Sequence, residues 1–146
     1  MTDELSIFGT SSYVDCRDTG RVNDWLPHTT FYQLKRLCHS YKSGVWNKVE
    51  LSNGAFYFHP THWPNPQPLE LHLPDRNFAQ TVSADLAGLI VTLLALSQIT
   101  QLHKARDDRA GFEESWKLLS GLTAFAKRHP ESATIIGALG PLDAHL

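Results

Sequence analysis

The chain has 146 residues, of which 42% are hydrophobic and 19% are charged. This composition is typical of one folded domain and differs from that of disordered or fibrous proteins. Thirteen Lys and Arg residues are nearly balanced by fifteen Asp and Glu residues, for a formal net charge of −2. The balance excludes a polybasic nucleic-acid-binding segment and an acidic tail. We predict a single domain over residues 1–146.

Residues 1–27 give only short apolar pieces between polar residues, and their structure is left unassigned. Residues 1–7 lack the basic and apolar regions of a secretory signal. We therefore expect a cytosolic protein with reduced thiols, although Cys16 and Cys38 could in principle pair.

A helix is predicted from Thr30 to a stop at Gly44, because apolar residues recur there every three or four positions. Its other side is basic and carries Lys35, Arg36, His39 and Lys42. Such a side could meet phosphates, but the solvated face of a surface helix is the simpler interpretation.

Residues 44–60 have the pattern of a β-hairpin. Asn53 and Gly54 predict a two-residue type I′ turn, since both positions need positive φ and these residues tolerate it. The turn fixes a register that pairs Leu51 with Phe56, Glu50 with Tyr57, Val49 with Phe58 and Lys48 with His59.

One face of this hairpin would then be apolar, with Val49, Leu51, Phe56 and Phe58. The other face would carry the side chains that we predict to bind a partner: Trp46, Lys48, Glu50, Tyr57 and His59. Exposed aromatic residues on a sheet are typical of binding hot spots. The competing interpretation, equally open at this stage, is that the N-terminal segment or the loop carrying Trp63 buries this face.

A proline-rich loop, residues 60–68, is followed by two further strands at residues 69–73 and 78–82. Ser83 is a good N-cap for the next helix, residues 84–103, and Asp85 in its first turn suits the helix dipole. This helix is apolar nearly all round, so we expect it at the centre of the fold. Its small residues would permit close approach of another element: Gly88, Thr92 and Ala95. Its most apolar run, residues 86–96, is too short to cross a bilayer.

A loop over residues 104–111 should precede a third helix, which opens at Glu113 and closes near His129, and a short fourth helix follows at residues 130–139. The inner face of the third helix is predicted to contain Trp116, Leu119, Leu122, Phe125 and Ala126. The apolar residues of the fourth helix are Ile135, Ile136 and Leu139. The fold class is α+β: a small antiparallel sheet of about four short strands, packed with a central apolar helix and three further helices.

No catalytic signature and no cofactor site is recognised. His59 and His62 are close in sequence, but no further ligands complete a zinc site, so no metal is expected. Cys38 is expected in the core, and Cys38 and His39 point about 100° apart on a helix, which excludes a thiol–base pair. An alternative to the binding role is a small enzyme or ligand-binding domain with a pocket near Tyr57, His59 and Asp85.

Four segments in this order resemble the plasmid and genomic-island antirestriction proteins of the ArdB/KlcA type: LCHSYKSGVW, ELSNGAFYFHP, VSADLAGLIVTLLALSQ and AKRHPESATIIGAL. The resemblance extends from about Phe31 to Leu139. It implies a protein that helps incoming DNA escape type I restriction-modification enzymes, with no catalytic residues. The implied partner is a host restriction-modification protein or a protein associated with it.

Charge limits the mechanism that this resemblance allows. Duplex DNA carries one charge per about 1.7 Å, so mimicry of about ten base pairs needs roughly twenty negative charges. The fifteen acids of this chain are nearly cancelled by thirteen bases. We therefore expect recognition of a protein, and neither DNA mimicry nor direct DNA binding.

Overall fold

The computed structural model describes residues 7–11, 22–38, 45–61 and 68–140. The described elements, in chain order, are β1 (Ile7–Ser11), α1 (Val22–Leu37), β2 (Val45–Leu51), β3 (Phe56–Thr61), β4 (Leu69–Leu73), a 3₁₀ turn (Pro74–Arg76), β5 (Phe78–Val82), α2 (Ala84–Ala105), α3 (Arg109–Lys127) and α4 (Ser132–Leu139). The predicted α+β class and the four helices are confirmed.

Helix α2 is the centre of the fold, as its sequence predicts. Fifteen of its 22 residues are buried, and it packs against α1, α3, α4 and β3. It is long and apolar enough to cross a bilayer, but most of it is buried inside the described part of the protein, as expected for a core helix. The Ser83 hydroxyl accepts a hydrogen bond from the Leu86 N–H at 3.1 Å, which confirms the predicted N-cap.

The strands form two sheets, and the prediction of one four-stranded sheet is wrong. A three-stranded antiparallel sheet has the order β1-β2-β3, and among the described strands β4 pairs only with β5. Helix α2 occupies the free edge of β3, where β4 would have to pair: the Phe58 N–H donates to Thr92 Oγ1 at 3.1 Å. Gly88 lies against the Phe58 carbonyl. The predicted close approach at Gly88 and Thr92 is confirmed, and it is the physical reason why the sheet stops at β3.

The hairpin turn has three residues, not two. The Gly54 N–H donates to the Leu51 carbonyl at 3.1 Å, and the Leu51 N–H donates to the Ala55 carbonyl at 2.9 Å. Gly54 alone has positive φ in this loop, at 88°. A type I turn followed by a left-handed glycine is the usual three-residue hairpin. The predicted type I′ turn is wrong because Asn53 does not adopt positive φ.

The extra turn residue shifts the register by one. Glu50 pairs with Phe56, Val49 with Tyr57, Lys48 with Phe58 and Asn47 with His59. Paired side chains share a face of the sheet, so Tyr57 joins Val49, whereas Phe56 and Phe58 lie on the face of Trp46. The predicted separation into an apolar and a polar aromatic face is therefore wrong.

Both faces of the hairpin are covered by helices. Trp46 packs on Phe31 of α1, with ring centroids 4.6 Å apart, and Tyr57 stacks on Phe125 of α3 at 5.8 Å. Only 6% of Trp46 and 1% of Tyr57 is exposed. The prediction that these two residues form an exposed surface is wrong, and the described cover comes from α1 and α3. Trp63, in the other candidate cover, lies outside the described residues.

Helix boundaries also differ from the predictions. Helix α1 begins at Val22 and continues through Pro27, although Pro27 cannot donate a hydrogen bond to the Asn23 carbonyl. Only residues 106–108 separate α2 from α3, because the Asp108 carboxylate caps α3 by accepting from the Gly111 N–H at 3.0 Å.

The predicted inner face of α3 is confirmed in part. Leu119, Leu122 and Ala126 are buried and Phe125 is half-buried, whereas Trp116 is 37% exposed, so its placement on the inner face is wrong. Of the three residues of α4 described as apolar, Ile135 and Leu139 are buried and Ile136 is 43% exposed. Trp116 instead stacks on Phe112 along the outside of α3, at 5.7 Å. Cys38 is buried, as expected, whereas Cys16, His39 and His62 lie outside the described residues.

Candidate functional site

A partly buried hydrogen bond between Tyr57 and Asp85 connects β3 to α2. The Tyr57 hydroxyl donates to Asp85 Oδ1 at 2.6 Å. Burial, together with the hydrogen bond to Asp85 and its charge, raises the pKa of Tyr57 well above its ordinary value. Asp85 therefore has two roles, as an acid in the first turn of α2 and as the acceptor that satisfies the Tyr57 hydroxyl. This geometry makes the pair a structural element.

The predicted pocket near Tyr57, His59 and Asp85 does not coincide with any of three cavities in the described part of the chain. These open at the hairpin tip, beside Arg36 and beside His103, and none of the three is lined by those residues. His59 is half-buried on the same sheet face as Tyr57. Asp85 accepts its described hydrogen bond from the Tyr57 hydroxyl.

A cleft of about 550 Å³ lies between the hairpin tip and α3. Its volume is within the range of about 300–1,000 Å³ of small-molecule pockets. The wall from the hairpin contains Lys48, Glu50, Leu51, Ser52, Asn53, Gly54, Ala55 and Phe56, and the wall from α3 contains Glu114, Lys117 and Leu118. Lys48 and Glu50 are thus the predicted partner-binding residues that remain accessible at a concave surface.

The hairpin tip is fixed to α3 by Asn53. Its Nδ2 donates to the Gly121 carbonyl at 3.0 Å, and its Oδ1 accepts from the Ala55 N–H at 3.0 Å. A Cβ at Gly121 would lie 3.0 Å from the Ala55 Cβ, so glycine at this position lets the hairpin and α3 approach closely. Asn53 and Gly121 thus hold the hairpin tip close to α3.

The lining of this cleft combines charges of both signs with apolar side chains. The Lys48 ammonium lies 4.2 Å from the centroid of the Phe56 ring, within cation–π distance. Two lysines and two glutamates line the cleft together with Phe56, Leu51 and Leu118. Mixed charge around apolar groups is typical of a protein-binding surface and unlike the single-sign surface that binds nucleic acid.

The described residues contain no group of three or more His, Cys, Asp or Glu side chains that could hold a metal ion. Glu114, Lys117 and Leu118 are cleft residues that were not predicted from the sequence. Their three- and four-residue spacing on α3 was a signal for a shared helix face, but it could not show that the hairpin tip lies opposite.

The chain matches the family model of antirestriction proteins over residues 39–140. Two proteins from Escherichia coli named antirestriction protein KlcA are 36% and 34% identical to it, over 112 and 106 residues. These alignments cover 75% and 73% of this chain, and 70% of each relative.

A solved structure has the same fold, with a TM-score of 0.67 and 26% identity, and the match covers 95% of this chain and 99% of the other. It comes from work on KlcA and ArdB, which are described as having a novel fold and antirestriction activity against type I DNA restriction systems in vivo but not in vitro. On the family match and on the identity to the KlcA proteins, this chain belongs to the antirestriction protein family.

Proposed function

We propose that this protein alleviates type I DNA restriction inside the cell by binding a protein partner, without catalysis and without DNA mimicry. The observation that carries the proposal is the match to the antirestriction family over most of the chain. The partner is a restriction-modification protein or a protein associated with it. Such a partner requires the protein to act in the cytosol.

The behaviour of the structural relatives supports an indirect mechanism. KlcA and ArdB are described as active in vivo but not in vitro. A direct competitor for a DNA-binding surface should also act on the purified enzyme, because DNA mimicry needs no further component. Activity confined to the cell is expected when a further cellular component is needed, and we infer the same for this chain.

Charge supports protein recognition as well. The net charge is −2, and the cleft between the hairpin and α3 contains as many lysines as glutamates. A surface of this kind cannot reproduce the closely spaced negative charge of duplex DNA. It can form short-range ion pairs and apolar contacts with a partner, which favour specificity over long-range attraction. We assign partner binding to this cleft, with Lys48, Glu50, Glu114 and Lys117 as its polar contacts.

The test is the plating efficiency of unmodified phage on a host with a type I restriction system, with and without expression of this protein. We expect a higher plating efficiency when the protein is expressed, and no effect on a host that lacks the restriction system. Unchanged plating on the restricting host, with soluble expression confirmed by blotting, would reject restriction alleviation for that system.

The role of the cleft is tested by reversing one of its charges. Lys117→Glu places a third acid in the cleft, and we expect it to reduce the plating effect at equal expression. Lys104→Glu is the matched control, because it makes the same charge change at an exposed lysine that does not line this cleft. Equal plating effects of the two variants and the wild type would remove the cleft from the proposal and leave the antirestriction activity standing.

A further inference from the structure

Two arginines line a second, smaller cavity. It has a volume of about 140 Å³ and lies between α1, α2, the turn after β4, and α4. Its described lining consists of Arg36, Leu37, Leu73, Pro74, Arg76, Leu94, Ala138 and Leu139. We call this cavity the arginine pocket. Two arginines thus line one small space, and no acidic side chain is among its described lining residues.

The guanidinium of Arg36 is held in place by a chain of glutamines. Its Nε and Nη2 donate to Gln33 Oε1 at 3.2 and 3.0 Å. Gln33 is only 3% exposed, and its own Nε2 donates to Gln98 Oε1 at 2.6 Å. Fixing the guanidinium in advance lowers the entropy cost of binding an anion. Arg36 is therefore better prepared for binding than a freely rotating surface arginine.

The guanidinium of Arg76 lies against the backbone at the end of α4. Gly140 has φ of 84°, and a Cβ at this position would lie 2.8 to 2.9 Å from Arg76 Nη1, Cζ and Nη2. Glycine readily adopts this backbone conformation, and its lack of a side chain lets the Arg76 guanidinium lie close to the backbone here. The second arginine of the pocket thus packs beside the end of α4.

We propose that the arginine pocket binds a single phosphate group. Two guanidinium charges from separate elements match a dianion, and the guanidinium donors fit phosphate oxygens geometrically. The cavity is well below the roughly 300 Å³ of a pocket for a drug-sized ligand, so the ligand enters as one group. The site gives a specific role to Arg36, whose helix face the sequence alone describes only as basic.

Isothermal titration calorimetry of the whole chain with inorganic phosphate tests the site directly. We expect saturable binding of phosphate to the wild type. The affinity of Arg36→Gln should be lower by at least about tenfold, because one charge-assisted contact is lost. The matched control is Lys35→Gln, which makes the same charge change at the exposed neighbour outside the pocket. Equal affinities in Lys35→Gln and Arg36→Gln, or no phosphate binding to the wild type, would overturn the proposal.

Two further ligands define the chemistry. Acetate should bind more weakly than phosphate, and equal or tighter binding of acetate would overturn the assignment to phosphate. If a nucleoside 5′-monophosphate binds more tightly than phosphate, the natural ligand is a phosphate ester. If it binds more weakly, the natural ligand is free phosphate. Both results support the site.

If Arg36→Gln fails to fold because Gln33 loses its partner, Arg76→Gln at an exposed position takes its place, with the same expected loss. The measurement is of binding alone, so its result does not depend on whether the protein alleviates restriction.

Discussion

Replacing Gly88 by alanine tests the contact that organises the fold. A Cβ at this position would overlap the Phe58 carbonyl oxygen and lie 2.8 Å from Pro60 Cδ. The first is a backbone atom of strand β3 and the second belongs to a proline ring in the same strand, so neither can rotate away. Helix α2 would therefore have to move away from the edge of β3. The same movement would stretch the hydrogen bond from the Phe58 N–H to Thr92 Oγ1, now 3.1 Å long.

The expected change in the free energy of unfolding combines one stabilising and two destabilising effects. Alanine gains about 1 kcal/mol over glycine inside a helix. Overpacking in a core costs about 1–3 kcal/mol, and weakening the buried hydrogen bond costs about 1 kcal/mol more. We therefore expect Gly88→Ala to lower the free energy of unfolding by about 1–3 kcal/mol. For a chain of this size, each kcal/mol corresponds to a fall in Tm of roughly 2–4 °C.

Urea unfolding followed by circular dichroism measures this change, and Gly137→Ala is the matched control. Gly137 also lies in a helix, but a Cβ there would meet only the Phe78 ring carbons, at 3.8 Å. We expect Gly137→Ala to raise the free energy of unfolding by about 0.5–1 kcal/mol. A Gly88→Ala variant that is as stable as the wild type, or stabilised like the control, would refute the close packing of α2 on β3.

Two further predictions concern pH. Tyr57→Phe removes the hydrogen bond to Asp85 and should cost about 1–2 kcal/mol in urea unfolding near pH 8. Because the folded protein raises the pKa of Tyr57, its hydroxyl keeps its proton when the unfolded chain loses it, so wild-type stability should fall above about pH 10. Tyr57→Phe should lose that part of the slope, and an unchanged slope would contradict the buried pair. The hydrogen bond from the Gly111 N–H, followed by the interaction with His103, lowers the pKa of Asp108. The stability that Asp108 contributes is therefore present above its ordinary pKa and is lost as the pH falls through the lower pKa of the folded state. Asp108→Asn can still cap α3 and should retain more stability than Asp108→Ala near pH 7. In both variants the Tm should fall less steeply with decreasing pH than in the wild type. A fall in Tm at acid pH as steep as that of the wild type would contradict this role of Asp108.

The elements that the sequence predicts correctly are those specified by neighbouring residues. The alternating leucines of β4, the bounds of β5 and the cap at Ser83 require no knowledge of the rest of the chain. Helix α2 is similarly recognisable because it is apolar nearly all round. The class of the fold follows from these segments and their order.

The predicted hairpin register is wrong, and the turn residue Asn53 makes a long-range contact that the local pattern does not reveal. Asn53 next to glycine favours a two-residue turn when considered alone. In the protein, its side chain bonds to the Gly121 carbonyl, 68 positions further along the chain, as well as to the Ala55 N–H. These bonds accompany a three-residue loop, in which only Gly54 has positive φ. A change of one residue in the turn reverses which face each aromatic side chain occupies.

The burial of Tyr57 depends on a distant residue. Its hydroxyl can be placed in the interior because Asp85, 28 positions away, accepts its hydrogen bond. The aromatic residues that a local pattern assigns to a binding surface are therefore used to attach the hairpin to α1 and α3. What remains accessible is the turn end of the hairpin, where Lys48 and Glu50 lie opposite Glu114 and Lys117.

This arrangement links stability to the proposed binding role through geometry. The cleft has one wall from a hairpin and one from a helix, and the contact between them at the turn is made by Asn53, Ala55 and Gly121. A larger residue at position 121 would separate the walls without changing any charged side chain. A partner that contacts both walls must then recognise their separation as well as their charges.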